Sequence, residues 1–179
     1  MKQGQMRSSM EIAYIILKGA AVAVAAAASI TDLKTRKIPN KLTFSAMLAG
    51  LACNLVLFGF KGLIGSFLGI LMGFTAFIFF AIGALKAGDV KLYMAIGAFT
   101  GWRFCGYAIV YSILVGGVAA FIFMLLRKSG RTALKNLKNY FVNMFYTHHF
   151  YMYQSQDTSS YFSFGCCILV GLVITWMVL

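Results

Sequence analysis

Residues 63–85 read LIGSFLGILMGFTAFIFFAIGAL, a run without a single charged side chain. As an α-helix this run would be about 35 Å long, enough to cross a bilayer hydrocarbon core of about 30 Å. The rest of the chain is similar, because 61% of its 179 residues are hydrophobic and only 11% are charged. Such runs are too long and too poorly alternating for barrel strands. We therefore predict an all-α, polytopic membrane bundle that forms one domain, residues 1–179.

The apolar runs predict six membrane helices, at residues 12–31, 42–60, 63–85, 87–102, 104–126 and 161–179. The run at 87–102 contains Asp89 and Lys91, so a re-entrant segment is the alternative there. Six crossings place eleven of the sixteen Lys and Arg residues on one face, whereas a re-entrant segment would put the basic region after Leu126 outside. Cations favour the cytoplasmic side. We therefore expect six crossings with both termini outside.

The net charge of +12 does not indicate a nucleic-acid partner, because the cations lie in short segments between apolar runs. Residues 127–160 are basic at first and aromatic in the middle, which predicts an interfacial loop against membrane lipids. The pair His148-His149 has no spaced ligand elsewhere, and the four cysteines form no CxxC pair. We predict neither a metal site nor a cofactor. The oligomeric state is not indicated.

Acidic residues are rare in this chain, and two of the four adjoin the ends of apolar runs. Asp32 follows the first run, and Asp89 follows the third. A carboxylate at membrane depth is costly, so such a residue is by default a hypothesis for a functional site. Two carboxylates on the same face of the membrane can share a proton.

A local interpretation of the same segments is also open. Pro39 stops the first helix from continuing, and Asn40 is predicted to cap the start of the second. Asp89 would then cap the fourth helix or pair with Lys86 or Lys91. This interpretation does not explain why an aspartate ends the first membrane helix.

The strings around the two aspartates resemble the motifs of the type IV prepilin peptidases and the related archaeal preflagellin peptidases. In that family one aspartate precedes Ile-Pro-Asn, and the other lies in Gly-x-Gly-Asp followed by x-Lys-Leu. Here the strings are Asp32 with Ile38-Pro39-Asn40, and Gly88-Asp89-Val90-Lys91-Leu92. The resemblance covers about residues 12–126. It departs at Lys86, which stands where the family has its first glycine.

The resemblance implies a membrane aspartic endopeptidase that removes the short basic leader of prepilins, without a cofactor. It implies a location in the cytoplasmic membrane, with the active site facing the cytoplasm. The chain is similar to short, peptidase-only forms that serve tight-adherence or Flp-type pili. The family's catalytic aspartates correspond to Asp32 and Asp89, and its motif residues, which position the substrate or the site, correspond to Ile38, Pro39, Asn40, Gly88 and Lys91.

Two other functions stay open from the sequence. A small ion-coupled transporter or channel would use Asp32 and Asp89 to bind a cation or a proton. A catalytically inactive pilus-assembly partner is the second alternative, and the departure at Lys86 is compatible with it. The sequence does not identify the prepilin or indicate whether methyl transfer follows cleavage.

Overall fold

The part of the chain that the structure describes consists of helices joined by turns. The computed structural model describes residues 2–35, 37–126 and 164–179. Its helices are α1 (Lys2–Thr35), α2 (Asn40–Phe74), α3 (Phe77–Ala81), α4 (Ala87–Leu126) and α5 (Phe164–Val178). Three stretches, Met10–Thr35, Asn40–Ala81 and Ala87–Ile122, are long and apolar enough to cross a membrane. The predicted all-helical class is confirmed for these residues, and the predicted loop at 127–160 lies outside them.

Two glycines reverse the chain within α2 and α4. Gly59 has a φ of 63° and Gly101 a φ of 79°, which side-chain-bearing residues rarely adopt. Beyond Gly101, Cys105 Sγ lies 3.5 Å from the carbonyl oxygen of Tyr93. A straight helix would separate residues twelve positions apart by about 18 Å. The segments on the two sides of Gly59 likewise touch each other. Residues 40–58, 60–74, 87–100 and 102–126 therefore form four helical segments.

Each reversal lies at the second-last residue of a predicted span, Gly59 in 42–60 and Gly101 in 87–102. The helix boundaries differ most from those predicted at two places. α1 begins at Lys2 because a helix can continue beyond the apolar residues that define a span. The run 63–85 is not one helix, since α2 ends at Phe74. There the Thr75 hydroxyl donates to the Met72 carbonyl over 2.6 Å, and the Thr75 N–H donates to the same oxygen. Such local bonds compete with the helical pattern. The number of membrane crossings stays a prediction.

Glycines let segment 60–74 lie directly against segment 87–100. A methyl group on Gly69 would lie 2.6 Å from the carbonyl carbon of Gly97, and one on Gly73 would lie 2.6 Å from the backbone of Tyr93. Residue numbers rise along one segment as they fall along the other, so the two are antiparallel. A methyl group on Gly65 would meet open space. Glycine is therefore needed for close approach at Gly69 and Gly73 but not at Gly65.

Asn54 secures the reversal at Gly101 from the neighbouring segment 40–58. Its side-chain amide donates to the carbonyls of Ala98 over 3.0 Å and of Phe99 over 3.1 Å. Carbonyls in the last turn of a helix have no helical partner, and the hydrocarbon core of a membrane supplies no water. The buried Asn54 amide therefore donates hydrogen bonds to carbonyl oxygens that would otherwise lack a donor.

Small side chains bring α1 and α5 together. Ala21, Ala25 and Ala28 of α1 are fully buried along one face. Further along, the Ser29 hydroxyl donates to the carbonyl oxygen of Gly165 over 2.8 Å. The part of α1 around Ser29 and Asp32 therefore lies directly against the start of α5.

Candidate active site

Asp32 lies in the last turn of α1 and is only 2% exposed. Its Oδ1 is 3.7 Å from the Lys86 ammonium nitrogen, across the gap between α1 and the start of α4. A methyl group on Gly165 would lie 3.3 Å from Asp32 Oδ2, so α5 covers the carboxylate closely. Asp32 is therefore a buried carboxylate with a cationic neighbour, features that a residue at the end of a helix does not need.

Asp89 is the third residue of α4 and is 1% exposed. Its Oδ2 accepts the backbone N–H of Lys86 over 2.9 Å, and its own N–H donates to the Lys86 carbonyl over 3.0 Å. A carboxylate three residues into a helix that binds the N-cap N–H stabilises the helix start. The expected capping role of Asp89 is therefore correct. Only one of its two carboxylate oxygens makes this contact.

The two carboxylates lie close enough for the charge of Asp32 to act on Asp89. Lys86 connects them: its side chain contacts Asp32, and its backbone contacts Asp89. Like charges held close together in a poorly solvated site repel each other, so a state with one shared proton is favoured over two full negative charges. Such a pair can both donate and accept a proton.

The two sequence motifs meet at two further points beside the carboxylates. A methyl group on Gly88 would lie 3.2 Å from Ile38 Cβ, so the glycine leaves room for that side chain. Lys91 Nζ donates to Asn40 Oδ1 over 2.8 Å and lies 5.7 Å from the centre of the Phe44 ring. All seven residues predicted for the site are therefore gathered at one end of the bundle.

The predicted capping role of Asn40 is wrong. Asn40 is the first residue of α2, Pro39 occupies the N-cap position with φ −64° and ψ 130°, and no side chain caps the helix. The extended conformation before the helix suits proline, whose φ is fixed near that value. The Asn40 amide is consequently free of the helix end, and its oxygen accepts the Lys91 ammonium instead.

Comparison with known proteins agrees with this geometry. Residues 19–121 match the type IV leader peptidase family, a stretch that is more than half of the chain and contains both aspartate motifs. The chain belongs to this family. Neither the comparison with curated proteins nor that with solved structures found a match. The resemblance predicted from the motifs is confirmed at the level of the family, and the protein is a membrane peptidase of the leader-peptidase type.

The leader peptidase has residues beside its aspartates that the sequence did not single out. Tyr93 is fully buried, and its hydroxyl faces Ser112 without forming a regular hydrogen bond. It follows Asp89 by one helical turn, so its spacing could have placed it on the same face. Gly165 had no such signal, because its contact with Asp32 joins distant parts of the chain. The local interpretation of the sequence named Lys86 only as a possible partner of Asp89, and no pattern indicated its contact with Asp32.

Proposed function

We propose that this family member is an aspartic endopeptidase that removes the short basic leader from type IV-like prepilins. The observation that carries the proposal is the meeting of the two motifs, which leaves Asp32 and Asp89 buried on either side of Lys86. Two carboxylates that share a proton supply both groups that amide hydrolysis requires, a base for water and an acid for the carbonyl oxygen.

In the proposed reaction, one carboxylate takes a proton from water as the water oxygen bonds to the scissile carbonyl carbon. The other carboxyl group gives its proton to the carbonyl oxygen, which yields a tetrahedral diol. When the C–N bond breaks, the protonated first carboxyl group gives its proton to the leaving nitrogen. A diol hydroxyl returns a proton to the second carboxylate. One water is consumed, and the pair ends in its starting state.

The proposed active site faces the cytoplasm from the cytoplasmic membrane. The chain reversals at Gly59 and Gly101 support this arrangement, because they allow the basic segments around Asp32 and Asp89 to share one end of the bundle. Six crossings would place most of the chain's cations at the same end, and cations favour the cytoplasmic side. With six crossings, both termini are external.

Membrane lipids are the proposed partners that hold the leader. The chain has four acidic residues in all, and two of them are the buried carboxylates of the site. Anionic headgroups would attract a basic leader to the surface where the site opens. Lys91 is the proposed contact for an acidic group of the mature pilin, because its ammonium has three N–H donors and uses one of them on Asn40.

Co-expression of the full chain with a type IV-like prepilin tests the proposal through the gel shift that follows leader removal. The wild type is expected to cleave, and Asp32→Ala and Asp89→Ala each to lose about a hundredfold to ten-thousandfold in rate. Glu11→Gln is the matched control, because Glu11 is an exposed acid on the same helix as Asp32.

Cleavage that persists in both aspartate variants would exclude the aspartic mechanism. A wild type that cleaves no prepilin and yet is required for pilus assembly would identify the inactive partner instead. An ion-dependent phenotype without cleavage would identify the transporter.

A further inference from the structure

Lys86 contacts the two carboxylates with chemically different groups. Its ammonium lies 3.7 Å from Asp32 Oδ1, and its backbone N–H donates to Asp89 Oδ2 over 2.9 Å. The first contact is strongest when Asp32 carries its negative charge. The second does not require charge, since a protonated carboxyl group still accepts a hydrogen bond through its carbonyl oxygen.

This difference in contacts breaks the symmetry between the two carboxylates. An opposite charge in direct contact favours the ionised form of a carboxyl group, and it does so more strongly than a neutral hydrogen-bond donor. The field of the ammonium also reaches Asp89, so the direct ion pair at Asp32 is what distinguishes the two sites. If the pair holds one proton, that proton belongs on Asp89.

Three further groups that act on the pair, all among the described residues, are compatible with this asymmetry. Gly165 of α5 lies against Asp32 and has no side chain. The ionisable groups that act on Asp89 besides Lys86 and Asp32 include the Tyr93 phenol and the Cys167 thiol. Both are neutral near pH 7 in ordinary surroundings.

We propose that Lys86 assigns the roles in the pair, holding Asp32 as the carboxylate and leaving Asp89 as the carboxylic acid. The catalytic meaning rests on the proposed peptidase function. Asp32 then takes the proton from the attacking water, and Asp89 gives its proton to the carbonyl oxygen. In the second step Asp32 gives the proton to the leaving nitrogen, and Asp89 recovers one from the diol. Lys86 is a positioning residue, since it acts through the carboxylates.

Carbodiimide labelling tests the charge assignment without any cleavage. Dicyclohexylcarbodiimide reacts with protonated carboxyl groups, and peptide mass spectrometry distinguishes Asp32 from Asp89. The full chain in lipid vesicles is labelled at neutral pH as wild type, Lys86→Arg and Lys86→Met. Lys61→Met is the control, because Lys61 is an exposed lysine beside the reversal at Gly59.

The wild type, Lys86→Arg and Lys61→Met are expected to label mainly at Asp89. In Lys86→Met the ratio of Asp32 to Asp89 labelling should rise by about tenfold, the size of one charge-assisted contact reduced for partial exposure. Lys86 is 40% exposed, so its replacement should leave the fold intact. Equal labelling of both aspartates in the wild type, or an unchanged ratio in Lys86→Met, would overturn the proposal.

The pH dependence of prepilin cleavage gives a second result that a purely structural role would not produce. In Lys86→Met the acidic limb of the rate profile should move to higher pH, because Asp32 loses the cation that favours its ionised form. Lys86→Arg should restore the wild-type profile. If the wild type does not cleave, the proposed function fails, and the labelling ratio still decides the role of Lys86.

Discussion

Replacement of Gly69 with alanine should separate the two segments that hold Asp89 in place. A methyl group there would lie 2.6 Å from the carbonyl carbon of Gly97 and 3.0 Å from the carbonyl carbon of Gly101. Carbon atoms in contact are normally about 3.5–4.0 Å apart, so the segments must move by about 1 Å. The obstacle is backbone, which cannot rotate away as a side chain can.

The size of the effect follows from two opposing contributions. Added volume in a packed core destabilises by about 1–3 kcal/mol, and alanine regains about 0.5–1 kcal/mol over glycine as a helix former. A net loss of about 1–2 kcal/mol in the free energy of unfolding is expected. Because Gly97 and Asp89 lie on the same helical segment, the shift should reach the site. A displacement of about 1 Å can lower a catalytic rate about a hundredfold.

The assay compares Gly69→Ala with Gly65→Ala, one helical turn earlier on the same segment. A methyl group on Gly65 would meet nothing within 4 Å, so that variant isolates the helix-propensity contribution. Thermal unfolding in detergent measures stability, and prepilin cleavage measures the site. Gly69→Ala should be less stable and less active than Gly65→Ala. Equal stability and equal rates in the two variants would refute the packing argument.

Two further predictions concern single contacts. Asn54→Leu should lower the unfolding free energy by about 1–3 kcal/mol, because two carbonyls before Gly101 lose their donor. Cys53→Ala, at the exposed neighbouring position, is the control, and an equal thermal midpoint in both would contradict this role. Lys91→Met and Asn40→Leu should each slow cleavage, and the double variant should lose about as much as one of them. Fully additive losses would mean that the Lys91–Asn40 bond does not position the site.

The helical class and the set of candidate-site residues could be read from the sequence because their signals are local. Uncharged runs long enough to cross a bilayer identify membrane helices directly, and each aspartate carries its motif within nine residues. The reversals at Gly59 and Gly101 also fall where the apolar runs are interrupted. No local signal predicts that the two motifs come together, because their contact depends on how the helical segments pack.

The predictions that failed did so where a distant contact, or a competing local one, decided the structure. Asn40 is a good capping residue by type, but its amide bonds Lys91, which is 51 positions away. Thr75 lies in an apolar run and yet ends α2 through its hydroxyl. The local interpretation offered Lys86 as one possible partner of Asp89, whereas its ammonium reaches Asp32 on another helix. Sequence patterns therefore predict poorly the contacts of side chains that can bind more than one partner.

The bond between Ser29 and Gly165 has a consequence for biosynthesis. It joins residues 136 positions apart, and the same glycine covers Asp32. Both aspartate motifs leave the ribosome well before α5 does, and synthesis proceeds at about 5–20 residues per second. For several seconds, therefore, a nascent chain contains Asp32 and Asp89 but not yet Gly165, which covers Asp32. The pair reaches its buried state only after the C-terminal helix has been made.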